Sequence, residues 1–80
     1  MTRNEMLDAL RQGICLVEFE KKDGTIREMR CTLNQFLIPK AQMPEKGVAY
    51  ADSTIRVYEP VNEGWRSFRV DSVKKFERIA

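Results

Sequence analysis

Two spacings of apolar residues divide this chain. Up to residue 13 they recur at helical intervals, with Met6, Leu7 and Leu10 forming one stripe. Thr2 and Glu5 stand at the capping-box spacing, a hydroxyl residue followed three positions later by a carboxylate. Gly13 is expected to supply a left-handed stop, giving a helix over about residues 2–12. So short a helix is not stable alone, and its stripe must cover something, most simply the open end of a sheet or barrel.

After Gly13 the repeat becomes two. In "ICLVEFEKK", Cys15, Val17 and Phe19 alternate with Leu16, Glu18 and Glu20. "KKDGT" is a hairpin signal, and the return strand "TIREMRCTL" puts Met29, Cys31 and Leu33 on one face, with Glu28, Arg30 and Thr32 on the other. A Lys22-Asp23-Gly24 loop pairs Val17 with Met29 and Cys15 with Cys31, whereas a two-residue Asp23-Gly24 turn pairs Val17 with Arg30. A one-residue slip turns every side chain over, so burial selects the first register.

Residues 34–53 break the alternation. Pro39, Pro44 and Gly47 mark a long connection, functional or mobile by its length, with "QFLI" apolar enough to be anchored to the core. A third strand follows in "TIRVYE", a turn in "PVNEG", a fourth strand in "WRSFRV", a tight turn in "DSV" and a fifth strand in "KKFERI". The strands thus fall at about 14–22, 25–33, 53–59, 65–70 and 74–79, within a single domain over residues 1–80. The expected class is mainly β, a small five-stranded antiparallel SH3/Sm-like barrel with a short N-terminal helix, with an OB-like barrel as the competitor.

Composition narrows the chemistry. The apolar fraction of 42% suffices for one core, and the charged fraction of 32% argues for solubility. No apolar run is long enough for a membrane span, and the N-terminal stretch lacks the apolar core of a signal peptide. Two cysteines, Cys15 and Cys31, and no histidine leave no ligand set for zinc and no Ser-His or Cys-His pair. The thiols are expected to be reduced and to behave as small apolar residues. Glu18, Glu20 and Glu28 sit among Lys21, Lys22, Arg27 and Arg30, where ion pairing accounts for them, and no phosphate-cradling glycine loop is present. The expectation is a protein that is not an enzyme and needs no cofactor or metal.

A net charge of +2 is too small to indicate nucleic-acid binding, but its distribution is uneven. Residues 64–80 hold five cations against two carboxylates, a local +3. In "GWRSFRVDSVKKF" a repeat of two puts Trp65, Ser67 and Arg69 on one face and Arg66, Phe68 and Val70 on the other. Trp65, with Tyr58 across the hairpin, would stack on unpaired bases, while Arg66, Arg69, Lys74 and Lys75 would take phosphates. The same residues also suit a structural role. Trp65 would then sit at the barrel edge with its Nε1–H on a loop carbonyl, and the lysines would guard an edge strand. The register of "YEPVNEGW" decides whether Tyr58 opposes Trp65 or Phe68, and the sequence does not fix it.

Several segments together carry a resemblance: the hairpin from Phe19 to Arg27, the "CTL" of Cys31 to Leu33, Ile38-Pro39, and "WRSFRVDSV" from Trp65 to Val73. They resemble the small phage-encoded SH3 β-barrel or Sm-like proteins of the second WYL-domain group. The resemblance implies a viral protein made in a bacterial host cytoplasm. It also implies sensing of nucleic acids or nucleotides through basic and aromatic side chains, here Trp65, Arg66 and Arg69. The Trp-Tyr-Leu tripeptide that names the wider group is absent. The leading expectation is weak binding of single-stranded nucleic acid or a nucleotide. The alternative is a protein-interaction module, a host-takeover factor docking on a bacterial protein, with Met43 and Tyr50 of the 39–52 loop as anchors. Pairing of open barrel edges into a homo-oligomer is a third possibility, and no membrane partner is expected.

Overall fold

The computed structural model describes residues 1–43 and 53–80. Helix α1 runs Arg3–Gln12, followed by strands β1 (Ile14–Glu20), β2 (Ile26–Thr32), β3 (Thr54–Glu59), β4 (Gly64–Arg69) and β5 (Val73–Arg78). All pairings are antiparallel, in the order β4-β3-β2-β1-β5. The sheet therefore curls as an Sm-like SH3 barrel but is not closed, with β4 and β5 as its two edges. Short 3-10 turns, Lys40–Gln42 and Val70–Ser72, punctuate the connections.

The capping box forms as expected: the Glu5 amide donates to Thr2 Oγ1 at 3.2 Å, and the Thr2 amide donates to Glu5 Oε1 at 2.8 Å. Met6, Leu7 and Leu10 are buried against Cys15, Val17, Phe19, Met29, Cys31, Ile55, Val57 and Phe68 in one core. The end of the helix departs from expectation. Gly13 has an extended backbone, φ 177°, rather than a left-handed one. Its reason is space, because a Cβ there would run into the Ala80 carbonyl. That carbonyl accepts a hydrogen bond from the Ile14 amide at 3.2 Å, tying the chain end to the start of β1.

What closes the helix lies on β2 instead. The Thr32 hydroxyl donates to the Gly13 carbonyl at 2.8 Å and approaches the Leu10 carbonyl at 3.3 Å, while the Leu33 amide donates to Leu10 O at 3.0 Å. A terminal helix carbonyl is thereby satisfied by tertiary structure. Thr32, expected on the outer face, is consequently fully buried.

The β1–β2 hairpin takes the first of the two registers, with Val17 opposite Met29 and Cys15 opposite Cys31. Its loop is Lys22-Asp23-Gly24: the Gly24 amide donates to Lys21 O at 2.9 Å, and the Lys21 amide to Thr25 O at 2.7 Å. Gly24 sits at φ 90°, the left-handed position that such a loop reserves for glycine.

The "QFLI" segment is only partly anchored. Ile38 is buried, but Leu37 is half exposed and Phe36 is 88% exposed. Asn34 accounts for this by turning the backbone outward: its Oδ1 accepts from the Phe36 amide at 2.9 Å and its carbonyl from the Leu37 amide at 2.9 Å. Of the two loop anchors expected, Met43 is exposed, while Tyr50 lies outside the described residues.

Candidate functional site

The β3–β4 hairpin settles which residues face each other. Tyr58 pairs with Trp65, Arg56 with Ser67 and Thr54 with Arg69, while Ile55 pairs with Phe68 and Val57 with Arg66. Because Ile55, Val57 and Phe68 belong to the core, alternation places Arg56, Tyr58 and Trp65 on the opposite face. Glu59 and Gly64 close the hairpin, and the Glu63 amide donates back to Pro60 O at 3.3 Å.

Trp65 is partly exposed and held on three sides. The Tyr58 ring meets it edge-on at 5.7 Å between centroids, and the Arg56 guanidinium lies 5.7 Å from its centroid. The indole Nε1–H donates to the Gln42 carbonyl at 2.7 Å, which fixes the ring against the 3-10 turn at Lys40–Gln42. The loop-carbonyl bond of the structural alternative thus coexists with a flat ring that still reaches solvent. Tyr58 differs from expectation: at 1% exposure its ring is covered, so it supports Trp65 and offers no stacking surface itself. Exposed Arg56, not among the residues singled out in the sequence, is the one stacked on the indole.

Arg66 serves a different partner. Its Nε lies 3.5 Å from Oε1 of Glu59, a carboxylate whose side chain is only 8% exposed. Arg27 Nη2 reaches the same oxygen at 3.5 Å, and Asn62 Nδ2 donates to it at 2.9 Å. A buried carboxylate needs such compensation, so Arg66 is chiefly the counter-charge of Glu59. The Glu59–Arg27–Asn62 cluster was invisible as a group in the sequence, because Arg27 comes from another strand.

Arg69 projects to solvent and is braced by Asp71, with Nε to Oδ1 and Nη2 to Oδ2 both at 3.2 Å. Lys74 and Lys75 are exposed on β5. Lys75 stands opposite Glu18, and the register shift that follows leaves Lys74 as the extra residue of a bulge. The six residues singled out in the sequence therefore do not form one strip. Trp65 and Tyr58 share one face, Arg66 belongs to the Glu59 cluster, Arg69 lines a cleft with Lys21 and Lys22, and Lys74 and Lys75 border another cavity beside Met1 and Met6.

The remaining titratable groups are structural in character. Burial pushes the Cys15 thiol up to about 11 and the Cys31 thiol up to about 12, so both stay protonated and unreactive at neutral pH. The hydroxyl and amide of Thr25 hold the Asp23 carboxyl below its usual range, and the bonds from Thr2 do the same for Glu5. Glu18 and Glu28 face each other across the β1–β2 ladder. Among the described residues, no group of three His, Cys, Asp or Glu is placed to hold a metal, and no helix is long and apolar enough to cross a membrane.

A curled five-stranded antiparallel sheet, opened at β4 and β5 and plugged by one N-terminal helix, defines a small Sm-like barrel. The sequence agrees: residues 3–74 match the family described as WYL_2, Sm-like SH3 beta-barrel fold, and the chain belongs to that family. No curated protein and no solved structure matches it significantly. Barrels of this fold are generally non-catalytic.

Proposed function

We propose that this barrel is a non-enzymatic binding module for single-stranded nucleic acid, with the outer face of the β3–β4 hairpin as its contact surface. The observation that carries this reading is the Arg56–Trp65 pair, a solvent-reaching indole with a guanidinium 5.7 Å from its centroid, held in place by Gln42 and Tyr58. A ring fixed this way pays no ordering entropy when a base stacks on it. Stacking contributes about 1–3 kcal/mol per base without demanding a sequence. Arg56 and Arg69, on the same face of adjacent strands, supply phosphate contacts; Lys74 and Lys75 extend the positive field. Arg66 is engaged by Glu59 and contributes only through the fold. The reading extends to a phage protein acting in the cytoplasm of a bacterial host.

The test is fluorescence anisotropy of labelled single-stranded RNA, single-stranded DNA and duplex DNA across a salt series. Salt-sensitive binding that prefers a single strand, weakened by Arg56→Ala at unchanged melting temperature and by Trp65→Ala with the fold retained, supports the proposal. Trp65→Phe separates the two roles of the indole, since it keeps a ring but loses the bond to Gln42. Equal binding by wild type and both alanine variants removes this face from consideration.

One observation favours the alternative, a host-takeover factor that docks on a bacterial protein. Phe36 is 88% exposed beside half-exposed Leu37, an apolar pair displayed by the Asn34 turn. A stoichiometric partner from host lysate that resists nuclease and salt, and is lost with Phe36→Ser, selects that reading instead.

A further inference from the structure

At one end of the barrel the C-terminal ends of β1 and β4 meet the N-terminal end of β3, and a cleft of about 430 Å³ opens between them. Its floor is the Phe19–Phe68 ring pair, stacked at 5.8 Å with 27° between planes. Three cations stand around it: Lys21 and Lys22 from the β1–β2 hairpin and Arg69 from β4. The hairpin loop holds the Lys21 backbone, whose amide donates to Thr25 O at 2.7 Å, and Asp71 braces the Arg69 guanidinium through paired bonds at 3.2 Å. Thr54 and Ser67 also line the cleft, and among the described residues neither hydroxyl has a partner. The Ser72 hydroxyl on the same wall donates to the Arg69 carbonyl at 2.8 Å, which holds the backbone of that wall in place.

We propose that this cleft is a binding site for a phosphomonoester carried on a compact ring. The volume is in the range of small-ligand sites, and an apolar floor beneath a few convergent polar groups is their usual form. Two lysines, the Arg69 Nη1 left over from Asp71 and two free hydroxyls exceed what the two oxygens of a carboxylate can use. A phosphomonoester offers three acceptor oxygens and nearly two negative charges, and it matches them. The ring rests toward the phenylalanine floor while the phosphate stays at the cationic rim. Glu20, also on that rim, disfavours a second anionic group, so a monoester is preferred to a polyphosphate. The same chemistry is presented by a free nucleoside monophosphate and by the 5′-phosphorylated end of a strand. The site does not depend on the Arg56–Trp65 pair, although its Thr54, Ser67 and Arg69 lie on the same face of the β3–β4 hairpin.

The experiment is an NMR titration of the intact chain, following backbone amides, with phenyl phosphate as probe and inorganic phosphate as control. Saturable shifts at Lys22, Thr54, Ser67 and Ser72 are expected, with inorganic phosphate binding about tenfold more weakly for want of the ring. Lys21→Ala combined with Lys22→Ala, at two exposed positions, should weaken phenyl phosphate about tenfold with the spectrum otherwise intact. Trp65→Ala should leave this binding unchanged, which separates failure here from failure of the single-strand reading. Adenosine monophosphate and a 5′-phosphorylated dinucleotide then distinguish the sources: the first alone points to a free nucleotide, the second bound more tightly to a strand end. The proposal is overturned by absence of saturable shifts, by shifts confined to the Arg56–Trp65 face, or by undiminished binding in the lysine double variant.

Discussion

Glu63 is the one described non-glycine residue with a left-handed backbone, φ 49°, at the last position of the turn joining β3 to β4. A side chain there costs about 1–2 kcal/mol that glycine avoids, offset in part by the greater freedom of glycine in the unfolded chain. Glu63→Gly should therefore raise stability by about 0.5–1 kcal/mol in urea unfolding. Gly13 presents the opposite case. Its backbone is ordinary, but Ala80 O occupies the place of a Cβ, so Gly13→Ala must displace the chain end and lose the Ile14–Ala80 bond. A loss of about 1–2 kcal/mol is expected in the same measurement. Arg66→Ala removes one of two guanidiniums from Glu59. With 41% of the Arg66 side chain exposed, the loss is screened and should be about 1–2 kcal/mol, below that of a fully buried pair. Binding of single strands should be altered less by Arg66→Ala than by Arg56→Ala, although the sequence singled out Arg66 and not Arg56. Period two correctly separated Arg66 from Trp65, but nothing local to residue 66 points to Arg27 or to the burial of Glu59.

At the level of elements, the local signals were legible and the tertiary ones were not. The capping box of α1 and the Lys22-Asp23-Gly24 loop are built from residues within a few positions of one another, and both form as the sequence predicts. The helix end does not, because the group that satisfies Leu10 O is the Leu33 amide, 23 residues away, and the Thr32 hydroxyl takes the Gly13 carbonyl. Likewise, Tyr58 looks exposed by alternation and is covered by an indole anchored to Gln42. Both local elements carry a carboxyl held below its usual range, Glu5 in the cap and Asp23 in the loop. A depressed carboxyl contributes stability above its unfolded-state value and loses it as pH falls through the folded-state one. Acid titration should then fray the start of α1 and the 22–24 loop below the ordinary carboxylate range, ahead of the core. Amide exchange and shifts at Glu5 and Thr25, compared with Val17 and Cys31, report this order. Simultaneous loss of all four signals would contradict it.

For the molecule as a whole, the fold explains why a small chain of near-neutral charge can still present a rigid surface. One face of the sheet is consumed by the core and the helix, and the two edges are left at β4 and β5. The proposed recognition surface is the outer face of the β3–β4 hairpin, where the single tryptophan of the chain is fixed with its ring still reaching solvent. That placement makes Trp65 its own reporter. The most direct measurement is its intrinsic fluorescence during titration with a short single-stranded oligonucleotide at low and high salt. The account predicts saturable quenching at low salt, as a base stacks on the indole, that is reversed by added salt. Binding detected by anisotropy with Trp65 emission unchanged, or no binding at low salt, would contradict it.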